Sequence, residues 1–271
     1  MKVGIIGVGL IGGSVARALA NRDVKLLLSD TNPTTVDQLR RVFPGATVGD
    51  GQTWVQEADA VVLAVPLEKM EVVIRELVPL MNEAAWLVDL SSVKRPLKSA
   101  LLWASQYVRV LSLHLMAGRE VNGFDQAQAD LFHGCPAAVV DFGLGLPPEE
   151  AVRWWQMQLN TAPFSPWDLN QHDDAIAWVS QFPYLVSRAL EQVVLAEAPR
   201  ALSLAGPGYR DTARVGRTDA KALAPMLQSN EGELKRALLA LESKIRAWRE
   251  YLDRSESGQC QSDSLVKGLE G

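Results

Sequence analysis

Apolar and polar positions along this chain follow two rhythms that change places near residue 168. In the first stretch, short runs of consecutive apolar residues at 2–6, 24–29, 46–48, 60–65, 85–89, 108–113 and 137–140 predict strands buried on both faces, with 161–165 as a last one. Between them, at 34–42, 67–80, 93–105 and 149–159, apolar residues recur every three or four positions. The segment after residue 9 does the same through Leu10, Val15, Ala18 and Leu19, and this spacing predicts helices. Strands alternating with helices imply βαβ units, right-handed crossovers and a mostly parallel, doubly wound sheet.

Beyond Trp167 no run reads as a strand. Residues 175–198 carry a nearly continuous apolar helix pattern that Pro183 interrupts. A final helix is predicted over 223–252. Its Leu234, Leu238, Leu241, Ile245, Trp248 and Leu252 step by four and three, the seam of two helices lying side by side. The same stripe also fits an amphipathic helix packed on its own domain. Residues 255–271 are polar with Gly and Ser and predict a frayed tail. The expected organisation is therefore an α/β domain over 1–167, an all-α domain over 168–254 and a tail.

Composition narrows the partners. The net charge is −5 with both signs mixed along the chain, so there is no basic footprint for nucleic acid. Two cysteines far apart, Cys135 and Cys260, make neither a disulfide framework nor a metal knuckle, and with only three histidines no metal site is expected. Reduced thiols fit a cytoplasmic protein. The apolar N-terminus resembles a secretory signal, but its glycine spacing and Arg17 argue against one, and no run is long enough to span a membrane.

The glycines carry the first chemistry. Gly7-Val8-Gly9-Leu10-Ile11-Gly12 is a GxGxxG between a predicted strand and a predicted helix. Gly7 permits the tight turn, Gly9 lets backbone approach a pyrophosphate, and Gly12 lets the helix pack on the strand. The diphosphate would rest on the helix N-terminus, where free N–H groups and the dipole favour negative charge. Asp30, 18 residues after Gly12 at the end of the second strand, stands where an acid binds the ribose hydroxyls of NAD and repels the 2′-phosphate of NADP. These features point to a Rossmann domain binding NAD; a flavin, a nucleoside or an empty turn are the alternatives.

Other candidates sit at strand ends, where such sheets bind ligands. Ala64-Val65-Pro66 closes one strand. Ser91 and Ser92 follow Asp89 and either cap the next helix or face the nicotinamide. His114 follows another strand, and its imidazole can take the proton of an alcohol as hydride leaves the carbon. In the helical half, Arg210 and Arg214 follow a Gly-Pro-Gly turn; a guanidinium there can hold a carboxylate by its fork.

Taken in order, these segments resemble the prephenate/arogenate dehydrogenase family of tyrosine biosynthesis. The resemblance spans roughly residues 1–252 and rests on the Gly loop, Asp89-x-x-Ser92-Val93-Lys94, His114-x-Met116-Ala117-Gly118, Asp130-Leu-Phe132, His172-Asp173, Ser180-x-x-Pro183 and Gly208-Tyr-Arg-Asp-Thr-Ala-Arg214. It implies NAD-dependent oxidative decarboxylation of prephenate, or of arogenate, by a homodimer joined through the helical domain. It also implies that His114 and Ser92 work at the substrate hydroxyl, that Arg214 anchors the ring carboxylate with Arg210 and Gly118 nearby, and that His172 and Asp173 support the cleft. There are departures, of which the one at Tyr184 bears on side-chain specificity. The family's Ser-His-Leu-Pro-His reads Ser180-Gln181-Phe182-Pro183-Tyr184 here, so Gln181 and Tyr184 stand where histidines are usual. Leu115 likewise replaces a proline. Two other readings compete: a different Rossmann-plus-helical oxidoreductase, such as a β-hydroxyacid dehydrogenase, and a non-catalytic NAD sensor. The former would want a Lys on the long helix, where Ser187 and Arg188 stand; intact His114, Ser92 and Arg214 argue against the latter.

Overall fold

A computed structural model describes residues 1–118 and 121–256. Eight strands form one sheet in the order β3-β2-β1-β4-β5-β6-β7-β8: β1 (Lys2–Ile6), β2 (Lys25–Ser29), β3 (Thr47–Val48), β4 (Ala60–Leu63), β5 (Trp86–Asp89), β6 (Arg109–Leu115), β7 (Ala137–Asp141) and β8 (Phe164–Asp168). β1 to β6 pair in parallel, β7 runs antiparallel to β6, and β8 is parallel to β7. The chain reverses its direction of winding between β1 and β4, the switch point where open α/β sheets bind ligands.

Successive residues of each strand face opposite sides, and each side has its own apolar core. On one, Val3, Ile5, Leu28, Val62, Leu111 and Leu113 meet α1 (Leu10–Leu19), α2 (Pro33–Val42) and α6 (Glu149–Leu159). On the other, Leu27, Val61, Leu63 and Leu87 meet α3 (Gly51–Trp54), α4 (Leu67–Leu77) and α5 (Lys98–Ala104). Two-sided burial is why β1, β2 and β4 to β7 read as apolar runs; β8, expected over 161–165, lies three residues later and, at the sheet's edge, leaves residues 165–168 exposed. The short α3 escapes periodicity because four residues cannot establish one; its Trp54 ring fills the space beside Gly4, where a Cβ would come within 2.3 Å of it.

The helical half departs from expectation twice. Pro183 does not interrupt the long helix. α7 (Leu169–Ile176) and α8 (Phe182–Glu197) are joined by a π turn, Ala177–Gln181, and the widened turn absorbs a residue that lacks an N–H just behind it. The single helix expected over 223–252 is two, α10 (Ala220–Ser229) and α11 (Glu231–Glu256), hinged at Asn230. Before them, α9 (Pro207–Arg214) packs on α8: Ser187 Oγ donates to the Thr212 carbonyl and accepts the Gly216 N–H. The expected tail begins too early, since α11 continues to Glu256; the rest of it lies outside the described residues. No described helix is long and apolar enough to cross a membrane.

Candidate active site

The glycine loop leaves β1 at the switch point. Gly7 has φ +83°, a conformation that costs an L side chain energy, and its N–H donates to the Ser29 carbonyl. At Gly12 an added Cβ would lie 2.0 Å from the Gly7 carbonyl oxygen, so α1 lies directly on the turn that introduces it. At Gly9 nothing lies within 4 Å of that position, which leaves open space over the first turn of α1. Leu10 is buried and Ile11 half-buried beneath this space. Asp30 directly follows β2 and is braced by backbone: Oδ2 accepts the Val8 N–H at 2.7 Å and Oδ1 accepts the Asn32 N–H at 2.8 Å. The carboxylate is thereby tied to the loop itself. An open cradle over a helix N-terminus, with a fixed acid at the next strand end, fits a dinucleotide with free ribose hydroxyls. Ala64 and Val65, half-buried, and the exposed Pro66 follow β4 along the same edge, with Ala64 still bonded to the Ile6 carbonyl.

The turn after β5 is held by buried charge. Lys94 has no solvent exposure. Its ammonium donates to Asp89 Oδ2 at 2.8 Å, to the Leu113 carbonyl at 2.9 Å and, more distantly, to Ser91 Oγ. Burial pulls the Lys94 pKa down, and Asp89 and then Asp173 oppose that. The serines do not cap the next helix. Ser91 donates to the Val93 carbonyl inside its own loop, and the N–H groups of Lys94 and Arg95 go instead to Asp173 on α7, at 2.8–2.9 Å. Ser92 remains half-buried in the turn.

His114 lies within β6, not after it, on the face opposite Leu113 and Leu115. It is almost wholly buried, and its Nδ1 lies 3.0 Å from Nε2 of His172 on α7. His172 Nδ1 lies 2.8 Å from Asp173 Oδ1. Burial first, then the Lys94 cation, then His172 hold the His114 pKa well below the ordinary histidine value, so its ring is neutral at physiological pH. A buried neutral imidazole at the ligand-binding edge of a Rossmann sheet has the protonation state a base needs. The sequence motifs placed His172 and Asp173 as supports; the fold puts them in line with His114.

The remaining expected residues divide. Tyr184 is buried on α8. Gln181, in the π turn, donates to the Met226 carbonyl and accepts from Asn230, so its amide joins α8 to the α10–α11 hinge. Asn230 donates also to the Asp173 carbonyl and accepts from Arg95, whose guanidinium reaches Asp174 as well. Arg210 and Arg214 lie exposed along α9, and Gly118 is exposed after β6. Sequence reasoning missed Lys94, Arg95 and Asn230 as parts of the site. The one available signal was two charges, Asp89 and Lys94, set in apolar surroundings. Among the described residues no cluster of side chains could hold a metal ion.

Comparison with known proteins agrees with this architecture. Residues 15–142 match the prephenate dehydrogenase nucleotide-binding domain and residues 168–270 the prephenate dehydrogenase dimerization domain. The chain is 27% identical to the cyclohexadienyl dehydrogenase of Zymomonas mobilis, over 89% of each. It superposes on the crystal structure of Synechocystis arogenate dehydrogenase with a TM-score of 0.79 and 26% identity, covering 100% of this chain and 96% of that one. On prephenate dehydrogenase from Aquifex aeolicus, solved with hydroxyphenyl propionate and NAD+, the TM-score is 0.84 at 20% identity, with 100% and 95% covered. With both domain models matched in order across the chain, this protein belongs to the prephenate dehydrogenase family.

Proposed function

We propose that this chain is a cytoplasmic, homodimeric, NAD-dependent prephenate dehydrogenase, converting prephenate to 4-hydroxyphenylpyruvate and CO₂. The observation that carries the reading is His114, a neutral buried imidazole near the end of β6, in the same sheet whose β1 leads into a glycine loop shaped for a dinucleotide. Bound NAD supplies the hydride acceptor. Everything else falls to the chain. Gly7, Gly9 and Gly12 let the first turn of α1 meet the diphosphate, and Asp30 takes the ribose hydroxyls. His114 accepts the proton of the ring hydroxyl as hydride leaves the same carbon, with Ser92 beside that hydroxyl. Arg214 holds the ring carboxylate until it departs as CO₂ and the ring becomes aromatic. Aromatisation supplies much of the driving force, so the protein's contribution is position and charge. Tyr184, standing where a histidine is usual, favours a second reading in which arogenate is the better substrate.

The test is NADH formation by purified protein with prephenate and with arogenate. One of the two is expected to turn over, and His114→Asn is expected to lower kcat by roughly 10²–10⁴-fold while NAD affinity stays within about twofold. Absence of turnover with both, or near-native activity in His114→Asn, contradicts the assignment.

A further inference from the structure

Asp173, His172 and His114 form a chain whose hydrogen-bond polarity follows from its end. A carboxylate can only accept, so His172 Nδ1, 2.8 Å from Asp173 Oδ1, carries the proton. A neutral ring protonated there has a bare Nε2. That nitrogen, 3.0 Å from His114 Nδ1, must accept, so His114 is protonated on Nδ1 and its own Nε2 is a lone pair. This is the nitrogen left for a substrate hydroxyl. The Asp173 carboxylate is held for this task by the backbone N–H groups of Lys94 and Arg95, and α7 is held by the Arg95–Asp174 pair and by Asn230.

A second consequence concerns where a charge can rest. Lys94 is the cation that acts on His114, with Asp89 against it; Asp173 touches His172 directly, and Asp174 is paired with Arg95. Both rings are buried, so burial opposes a positive charge on either; on His114 the Lys94 cation opposes it further, whereas on His172 it would be in contact with the Asp173 carboxylate.

We propose that the proton His114 takes up is relayed: as Nε2–H forms on His114, its Nδ1 proton passes to His172 Nε2, and the imidazolium rests on His172 against Asp173. This rests on the reading of His114 as the base. The substrate O–H bond breaks and the His114 Nε2–H bond forms. The His114 Nδ1–H bond breaks and the His172 Nε2–H bond forms. The hydride and its electron pair go to the nicotinamide, and Asp173 keeps its charge. His172 is thus a positioning residue for His114 and the acceptor of its second proton.

Only three histidines occur in the chain, so their ring nitrogens can be followed individually by ¹⁵N NMR in the full-length protein, assigned with His114→Asn and His172→Gln. At neutral pH both His114 and His172 are expected as Nδ1–H tautomers. On acidification His172 is expected to become the imidazolium while His114 switches to the Nε2–H tautomer. An imidazolium on His114 with neutral His172, or His114 starting as Nε2–H, overturns the relay. Kinetics supply the second readout. Gln at position 172 can still accept from His114 and donate to Asp173 but cannot take a proton. His172→Gln is expected to lower kcat about 10²-fold, the lower end of acid–base assistance, with KM nearly unchanged. Its acid limb should move to lower pH, because His114 then titrates alone. Native kcat and an unmoved limb in that variant overturn the proposal. If the native enzyme turns over neither dienol, the functional reading fails, and the NMR titration still decides the proton's path.

Discussion

Lys94 is the residue whose environment is least like its preference. A four-carbon ammonium with no solvent contact persists only because Asp89, a carbonyl and a hydroxyl take its donors. Asp89 depends on it in turn: its other bonds, from Ser112 Oγ and the Ser91 N–H, do not neutralise a charge. Lys94→Gln removes one partner of a wholly buried pair and should destabilise the protein by about 3–5 kcal/mol in urea unfolding. Lys2→Gln, at the exposed pair with Glu57, should leave the midpoint unchanged. Equal effects of the two would mean that the Lys94 pair is not the anchor of the β5 turn.

At the scale of elements, the β1–α1 junction separates folding from binding. Gly12 is needed by the protein, because a Cβ there meets the Gly7 carbonyl at 2.0 Å. Gly9 is not, because a Cβ there meets nothing. Gly12→Ala should therefore lower both the thermal midpoint and NAD affinity. Gly9→Ala should keep the native midpoint and weaken NAD binding at least tenfold, about 1.4 kcal/mol, by filling the space a diphosphate needs. Thermal unfolding and NADH fluorescence titration separate the two; a Gly9→Ala protein that binds NAD normally removes this loop from the cofactor site. The α7–α8 joint works differently. Its π turn places Gln181 against Asn230, and so ties the helix that carries His172 to the hinge between α10 and α11.

At the scale of the molecule, α11 presents a face that this chain does not cover. Leu234 is buried, but Leu238, Leu239, Ile245, Trp248 and Leu252 are exposed along the same helix. An apolar stripe of that length signals a partner surface, and the matched dimerization domain includes it. A homodimer with a self-complementary contact is expected. Light scattering should give twice the chain mass at micromolar concentration, and Ile245→Glu with Leu252→Glu should give monomer. A monomeric native protein would contradict this.

The strands of the α/β half, the glycine loop and the acid at the end of β2 were legible because their signals are local. Two-sided burial writes continuous apolar runs, and a GxGxxG is six consecutive residues. His114 was legible as a candidate for the same reason, by its place at a strand end. What the sequence could not determine is which distant side chains meet. Asp173 takes the cap role that is one of the two readings of Ser91 and Ser92, from 79 residues away for Lys94. The π turn that carries the chain past Pro183, and the break at Asn230, are choices of tertiary contact over local propensity. The chain from Asp173 through His172 to His114 exists only because the fold brings His172 of α7 within hydrogen-bond distance of His114 on β6. Hydrophobic periodicity decides which face of an element is buried; hydrogen bonds between buried polar groups, which carry no period, decide what meets there.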